Sequence, residues 1–156
     1  MNPQQLAPRY RTFGGFFRLS TRLEAIGNRF LEGLTVKQWY CLAVLTTFFD
    51  QPPTLGALAL AMGTSHQNAK QVALRLEAKG YVALRQDAAD RRACRVGATE
   101  RAMAYGKTQQ ARNEAFLQEA FAGLSPADLE SLAAGMERID GNLARIQAAL
   151  EEDRHA

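Results

Sequence analysis

Cysteine and histidine are scarce in this sequence of 156 residues, which contains only two of each. Cys41 and Cys94 are too few for a disulfide framework, so a reducing compartment is expected. His66 and His155 have no cysteine or carboxylate nearby at the spacing of a metal site or a catalytic triad. The pair Gly14–Gly15 lacks the further glycines of a phosphate-binding loop. We therefore expect no metal, no cofactor and no enzymatic activity.

Long apolar runs are also absent. No segment reaches the roughly 18 apolar residues that a membrane-spanning helix needs. Residues 1–15 lack the apolar stretch of a signal peptide. We therefore expect no membrane association and a cytoplasmic location, with a chain long enough to bury its own core.

The positive charge is concentrated in one part of the chain. The formal net charge is +3, and residues 64–101 hold eight basic and four acidic residues. Residues 102–156 are acidic, with five basic and nine acidic residues. Local positive charge is typical of a surface that contacts phosphates. An ordinary solvated surface is the alternative interpretation.

Two helices are predicted before residue 50. Apolar residues at alternating spacings of three and four predict a helix over residues 10–31. Thr35, followed three residues later by Gln38, has the spacing of a capping box and predicts a largely buried helix over residues 36–49. The stripe of the first helix consists of Phe16, Leu19, Leu23, Ile26 and Phe30.

A helix-turn-helix is predicted next. A short helix over residues 55–62 is followed by Gly63, and a second helix begins at Thr64 or Ser65 and ends at Lys79. Because amides contact adenine edges and Lys or Arg contact guanine or phosphate, a helix face without a carboxylate favours DNA binding over plain solvation. That face presents Gln67, Lys70 and Gln71, flanked by His66, Asn68 and Arg75. The opposite face presents Ala69, Val72, Ala73 and Leu76.

A β-hairpin follows the second helix. Apolar and polar residues alternate from Val82 to Leu84 and from Cys94 through Val96 to Ala98, which predicts two strands. The polar segment between them, residues 87–92, can extend away from the body as a wing tip. An arginine there suits a narrow, electronegative minor groove. An ordinary charged turn is the alternative.

The remaining residues predict two long helices. One begins at Thr99 and ends near Gly123, and the last begins at Ser125, with Pro126 at its first position. The last helix carries an unbroken seam at heptad spacing. Packing within its own domain is possible for such a helix, but the matching stripe near the N-terminus predicts that both stripes pack together and with a second subunit. The seam consists of Leu129, Leu132, Met136, Ile139, Leu143, Ile146 and Leu150.

The sequence resembles the MarR family of bacterial transcription regulators over most of its length, and most clearly from Leu34 to Thr99. Ala98 departs from the leucine that is usual in the family, which loosens the anchor of the wing. The segment His66–Gln71 also differs from the Ser/Thr-rich recognition helix common in the family, which implies a different operator sequence. The matching residues are Leu34, Thr35, Gln38, Leu58, Ala59, Arg75, Leu76, Glu77, Gly80, Tyr81, Val82, Asp90, Arg91, Arg92 and Thr99.

The resemblance implies a fold that is mainly α with a small β-hairpin wing. A winged helix-turn-helix over residues 35–100 would join a helical dimerisation region built from the N- and C-terminal helices, residues 1–34 and 101–156. The three parts would form one intertwined domain. The resemblance therefore implies a triangular homodimer, with two recognition helices about 34 Å apart.

The implied function is transcriptional regulation by a homodimeric repressor of an inverted-repeat operator in double-stranded DNA. Arg92 would enter the minor groove with Asp90 holding its guanidinium, and Arg91 is the alternative groove residue. A dimeric winged-helix protein-interaction module without specific DNA binding is the competing hypothesis. The base-contacting candidates are Gln67, Asn68, Lys70 and Gln71, beside His66, and the phosphate-contacting candidates are Ser65 and Arg75.

Family members are often released from DNA by a small phenolic or lipophilic effector. The implied pocket would be lined by aromatic residues, but core packing also explains these residues, and we favour the core interpretation. Some members sense oxidants through a cysteine, but Cys41 and Cys94 lie on apolar faces and are expected to be buried and unreactive. The aromatic residues are Phe13, Phe16, Phe17, Trp39 and Tyr40.

Overall fold

The computed structural model describes residues 7–87, 90 and 93–153. The described chain is mainly helical with a single two-stranded antiparallel hairpin, which confirms the predicted fold class. Each predicted helix and strand is present. The elements are α1 (Pro8–Phe30), α2 (Val36–Thr47), α3 (Leu55–Ala61), α4 (His66–Ala78), β1 (Val82–Gln86), β2 (Cys94–Ala98), α5 (Glu100–Ala120) and α6 (Pro126–Glu152).

The chain divides into two compact units, Met1–Thr108 and Gln109–Ala156. The first unit contains α1 to α4, the hairpin and the beginning of α5. Its core lies between α2, α3, α4 and the hairpin, and the largest fully buried side chains are those of Leu58, Leu76, Val44, Val96 and Cys41. The second unit contains the end of α5 and all of α6, which has no buried residue.

The helix starts follow local capping chemistry. Thr35 and Gln38 form the predicted capping box, in which Gln38 N–H donates to Thr35 Oγ1 (3.3 Å) and Thr35 N–H donates to Gln38 Oε1 (3.1 Å). At α4 the cap is Ser65, which accepts from Asn68 N–H at 3.2 Å. Thr64 does not cap α4: its N–H closes the preceding turn onto Ala59 O, and its Oγ1 accepts from the side chain of Asn68. At α6, hydrogen bonds from the side chain and backbone of Ser125 hold the pKa of Asp128 below its ordinary value.

The corner between α1 and α2 depends on a glycine inside α1. A Cβ at Gly27 would lie 2.3 Å from Val36 Cγ2, so no larger residue fits there without movement. Val36 N–H donates to Asn28 Oδ1 at 2.8 Å across the same corner. Glycine lowers helix propensity, but here it permits the close approach of two helices.

Candidate nucleic-acid interface

The recognition helix α4 is oriented by small and apolar residues on its inner face. Ala69, Ala73 and Leu76 are fully buried, as their spacing predicts, and Val72 is half-buried. This packing turns the polar face outward. Its exposed residues are His66, Gln67, Asn68, Lys70, Gln71 and Arg75, together with the cap Ser65.

The one carboxylate of α4 is used inside the domain. Glu77 Oε1 accepts a hydrogen bond from Leu84 N–H of β1 at 2.9 Å, which ties the end of α4 to the wing. The face formed by Gln67, Lys70 and Gln71 therefore carries amides and a cation without a neighbouring acid on the same helix. Such a surface matches both the negative charge of phosphates and the hydrogen-bonding edges of bases.

Leu74 belongs to the same surface and is not among the residues predicted from the sequence. It follows Lys70 and Gln71 by about one helical turn and is 46% exposed. An apolar side chain at this place can contact a thymine methyl group. Leu74 follows Lys70 by four residues, and this spacing is enough to place both side chains on the same face of a helix.

Lys79 is a second missed residue, and it positions the end of α4. Its Nζ donates to Gly33 O at 2.6 Å and to Gln38 Oε1 at 3.0 Å. Gln38 is itself buried and holds the start of α2. These partners lie more than 40 residues away in the sequence, so no local pattern indicates the contact.

The hairpin packs one face on the core, as predicted for most of its residues. Val82 pairs with Ala98 and Leu84 with Val96 in the strand register. Val82 and Val96 are buried, and Leu84 and Cys94 pack partly against the core. Ala98, predicted to point inward, is exposed because its small side chain borders an open groove of about 230 Å³ beside α2 and α5.

The base of the hairpin is joined to α5 through Thr99. Thr99 Oγ1 donates to Gly80 O at 2.8 Å, and Thr99 N–H donates to Tyr81 O at 3.0 Å. Both bonds link the end of the second strand to the residues just before the first. The hydroxyl also accepts from Ala102 N–H, which starts α5.

The wing tip differs from its predicted form at Asp87. We predicted it as part of an exposed polar tip, but its side chain is buried because Arg95 and the N–H of Asp90 both bond to its carboxylate. Asp90 is exposed. The minor-groove candidates Arg91 and Arg92 lie outside the described residues.

Residues 32–93 match the sequence model of the MarR family. They include α2, α3, α4 and β1, the elements that form and support the exposed polar helix face. The winged-helix part of this chain is therefore similar in sequence to the MarR family. No curated protein matches the sequence.

Solved MarR-type structures share the fold over most of this chain. BpsR of Bordetella bronchiseptica, whose DNA binding is regulated by 6-hydroxynicotinic acid, is 23% identical, with a TM-score of 0.73 over 86% of this chain and 96% of its own. AbsC, a MarR family transcriptional regulator of Streptomyces coelicolor, is 20% identical, with a TM-score of 0.76 over 89% and 97%. The organohalide-sensing regulator RdhR-CbdbA1625, bound to 2,4-dichlorophenol, is 13% identical, with a TM-score of 0.76 over 89% and 83%. At these identities the likeness shows the MarR fold.

The aromatic residues assigned to a MarR-type pocket are not core residues of the isolated chain. Phe13 and Phe17 are 65% and 64% exposed and contact each other edge to face, with centroids 5.2 Å apart. Tyr40 is also exposed, while Phe16 and Trp39 are half-buried. The core interpretation is therefore wrong for Phe13, Phe17 and Tyr40, because α1 has no cover on this side within its unit. The pocket assignment stays a prediction.

Both units of this chain leave apolar helix faces uncovered. On α1, every apolar residue of the predicted stripe except Phe16 and Phe30 is more than half exposed. On α6, taken by itself, five residues of the predicted seam are 46–60% exposed: Leu132, Met136, Leu143, Ile146 and Leu150.

The two cysteines differ in their surroundings. Cys41 is fully buried, as predicted, and burial raises the pKa of its thiol to about 11. Cys94 is half-buried. Among the described residues, no three histidine, cysteine or acidic side chains are grouped for a metal ion. None of the described helices combines the length and apolar character needed to cross a membrane.

Proposed function

We propose that this chain is a transcriptional regulator that binds duplex DNA as a homodimer and represses transcription from an inverted-repeat operator. The observation that carries the proposal is the exposed face of α4, which combines amides and cations while its only carboxylate is bonded to the wing. The match of residues 32–93 to the MarR family supports the same function.

The exposed polar residues of the recognition face have these roles in the proposal. Gln67, Asn68, Lys70 and Gln71 contact base edges in the major groove, with His66 beside them. Asn68 Nδ2 already donates to Thr64 Oγ1 at 3.4 Å, which holds its amide at the start of the helix. Ser65 and Arg75 contact phosphates, and Arg92 or Arg91 enters the minor groove with Asp90 as its carboxylate partner.

The uncovered apolar faces support dimerisation. Exposed apolar patches of this extent are typical of interaction sites. Heptad spacing on α6 is the pattern by which helices from two chains interdigitate. A second copy of the chain, which carries the same faces, is the partner that we propose.

A small effector completes the proposal. BpsR is regulated by 6-hydroxynicotinic acid, and RdhR-CbdbA1625 binds 2,4-dichlorophenol. We propose that a phenolic or lipophilic compound binds this chain near Phe16 and Trp39, together with Phe13, Phe17 and Tyr40. A compound that favours a dimer whose recognition helices do not match the operator would release DNA by a population shift. Thermal-shift screening of small phenols, repeated on Trp39→Ala, tests this part separately.

The main experiment is selection of bound duplexes from random DNA by the purified protein, followed by affinity titration against salt. We expect an enriched inverted repeat with half-sites about one helical turn apart. Gln71→Ala should change the enriched bases, whereas Lys107→Gln on α5 should leave them unchanged. A steep salt dependence without enrichment would indicate nonspecific binding. Absence of binding at low salt would favour the protein-interaction module instead.

A further inference from the structure

The outer face of the wing carries two arginines directly opposite each other. Arg85 of β1 is the register partner of Arg95 of β2, and both are exposed on the side of the hairpin away from the core. Like charges in opposite positions of a β-ladder destabilise it. The two guanidinium groups therefore need different counter-charges, and the structure supplies one of them.

Arg95 is engaged within the protein through two groups. Its Nε donates to Asp87 Oδ2, and its Nη1 donates to the carbonyl of Pro52 at 2.8 Å. Asp87 Oδ1 also accepts from Asp90 N–H at 3.0 Å. One guanidinium thereby links the segment before the tip to the loop between α2 and α3.

The same loop also contacts β2 through its backbone. Val96 N–H donates to Pro53 O at 2.9 Å, and Thr54 forms a bridge with Arg95. Gly97 lies beside Pro52, and a Cβ at position 97 would make an ordinary van der Waals contact of 3.5 Å with Pro52 Cγ. The contacts of Arg95 therefore continue an ordered attachment of the wing to the body of the domain. We call Asp87, Arg95 and the Pro52 carbonyl the wing clamp.

The charges of the wing clamp cancel, whereas that of Arg85 does not. Asp87 is 8% exposed and its carboxylate neutralises Arg95, so the pair adds no net charge to the surface. Arg85 forms no ion pair with any described residue and lines an open groove of about 720 Å³ along the outer face of the hairpin. Its guanidinium retains its charge and donors for an external anion.

We propose that Asp87 and Arg95 are positioning residues that fix the wing on the α2–α3 loop, while Arg85 contacts a phosphate of bound DNA. The proposal rests on the DNA-binding function proposed above. Two arginines of equal charge in one register pair then have separable roles: one sets the direction of the wing, and the other adds one phosphate contact.

The first test needs no DNA. Hydrogen exchange of the folded protein should show the amides of Asp90 and Val96 exchanging at least about tenfold faster in Arg95→Gln than in the wild type. Arg85→Gln, the matched variant from the same register pair, should leave both rates unchanged. Equal rates in Arg95→Gln and the wild type would overturn the clamp. If Arg95→Gln does not fold, Asp87→Asn removes the same charge pair and carries the same expectation.

The second test measures duplex affinity against salt for an operator and for random DNA. Arg85→Gln should weaken binding to both duplexes equally and reduce the salt slope by about 0.9, the value for one phosphate contact. Arg95→Gln should keep the wild-type slope and lose at least about fivefold more affinity for the operator than for random DNA. Lys107→Gln controls for loss of one positive charge elsewhere.

The two proposals fail in different ways. A wild-type protein without salt-dependent duplex binding would overturn the proposed function, while the exchange experiment still tests the clamp. A wild-type protein that binds, with a reduced slope in Arg95→Gln and an unchanged slope in Arg85→Gln, would reverse the two roles and overturn this inference.

Discussion

The winged helix and the long helices α1 and α6 differ in how far their apolar side chains are buried within the chain. Leucines of α3 and α4 such as Leu58 and Leu76 are fully buried within one chain. In α1 only Gly27 is buried, and α6 has no buried residue although both helices carry apolar stripes. The winged helix therefore contains its own core, whereas α1 and α6 carry exposed apolar surface, which we propose is covered by a second copy of the chain. The following predictions test that difference.

The largest effect is expected in the core of the winged helix. Leu76→Ala should lower the free energy of unfolding by about 2–5 kcal/mol, because it removes a fully buried side chain and leaves a cavity. Leu74→Ala in the same helix should change it by less than about 0.5 kcal/mol, since Leu74 is exposed. Urea unfolding at one protein concentration measures both. Equal losses would mean that Leu74 is also buried in solution.

The next effect concerns the apolar seam of α6. Leu143→Glu should raise the dissociation constant of the dimer at least about 100-fold, or about 2.7 kcal/mol, because a carboxylate would replace a leucine at the interface. Ala148→Glu, on the opposite side of the helix, is the matched control and should have little effect. Sedimentation equilibrium measures both. Equal dissociation constants for the two variants would contradict a dimer built on this seam.

A smaller effect is expected at the wing tip. Arg92→Ala should weaken operator binding by about 1–3 kcal/mol, because it removes a guanidinium from the minor groove. Arg91→Ala is the comparison, and the larger loss identifies the groove residue. Fluorescence anisotropy at several salt concentrations gives affinity and slope together. If both variants keep the wild-type operator affinity and salt dependence, the wing tip does not contact the DNA.

The smallest effect on stability at neutral pH is expected at Cys41. Its pKa of about 11 leaves very little thiolate, so in Cys94→Ser the remaining thiol should react at pH 8 at least about 100-fold more slowly than free cysteine. Because the folded-state pKa is raised, the contribution of Cys41 to stability is complete below pH 9.0 and is lost as the pH rises towards about 11. Labelling as fast as free cysteine would show that the core opens around α2.

Local elements could be predicted because their determinants are close together in the chain. The Thr35 capping box, the Ser125 cap and the inward face of α4 each depend on residues at most a few turns apart. The choice between Thr64 and Ser65 required the structure, since both can cap a helix and only the path of the preceding turn separates them.

Contacts between distant residues could not be predicted. Lys79 meets Gly33 across 46 positions, and Arg95 meets Pro52 across 43. Asp87 looked like an ordinary tip residue because its burial depends on Arg95 reaching across the hairpin. Gly27 looked unfavourable in a helix, and only the approach of Val36 explains it.

The sequence by itself determined which segments form helices and strands, which face of α4 is polar and which family the winged helix resembles. These properties follow from periodicity and short-range hydrogen bonds, which a linear pattern contains. Tertiary structure decided which charges remain available on the wing and which apolar stripes remain uncovered. Those properties depend on which distant groups meet in space. An arginine or a leucine that contacts a partner within the chain stabilises the fold, whereas the same residue without such a contact remains available to bind another molecule.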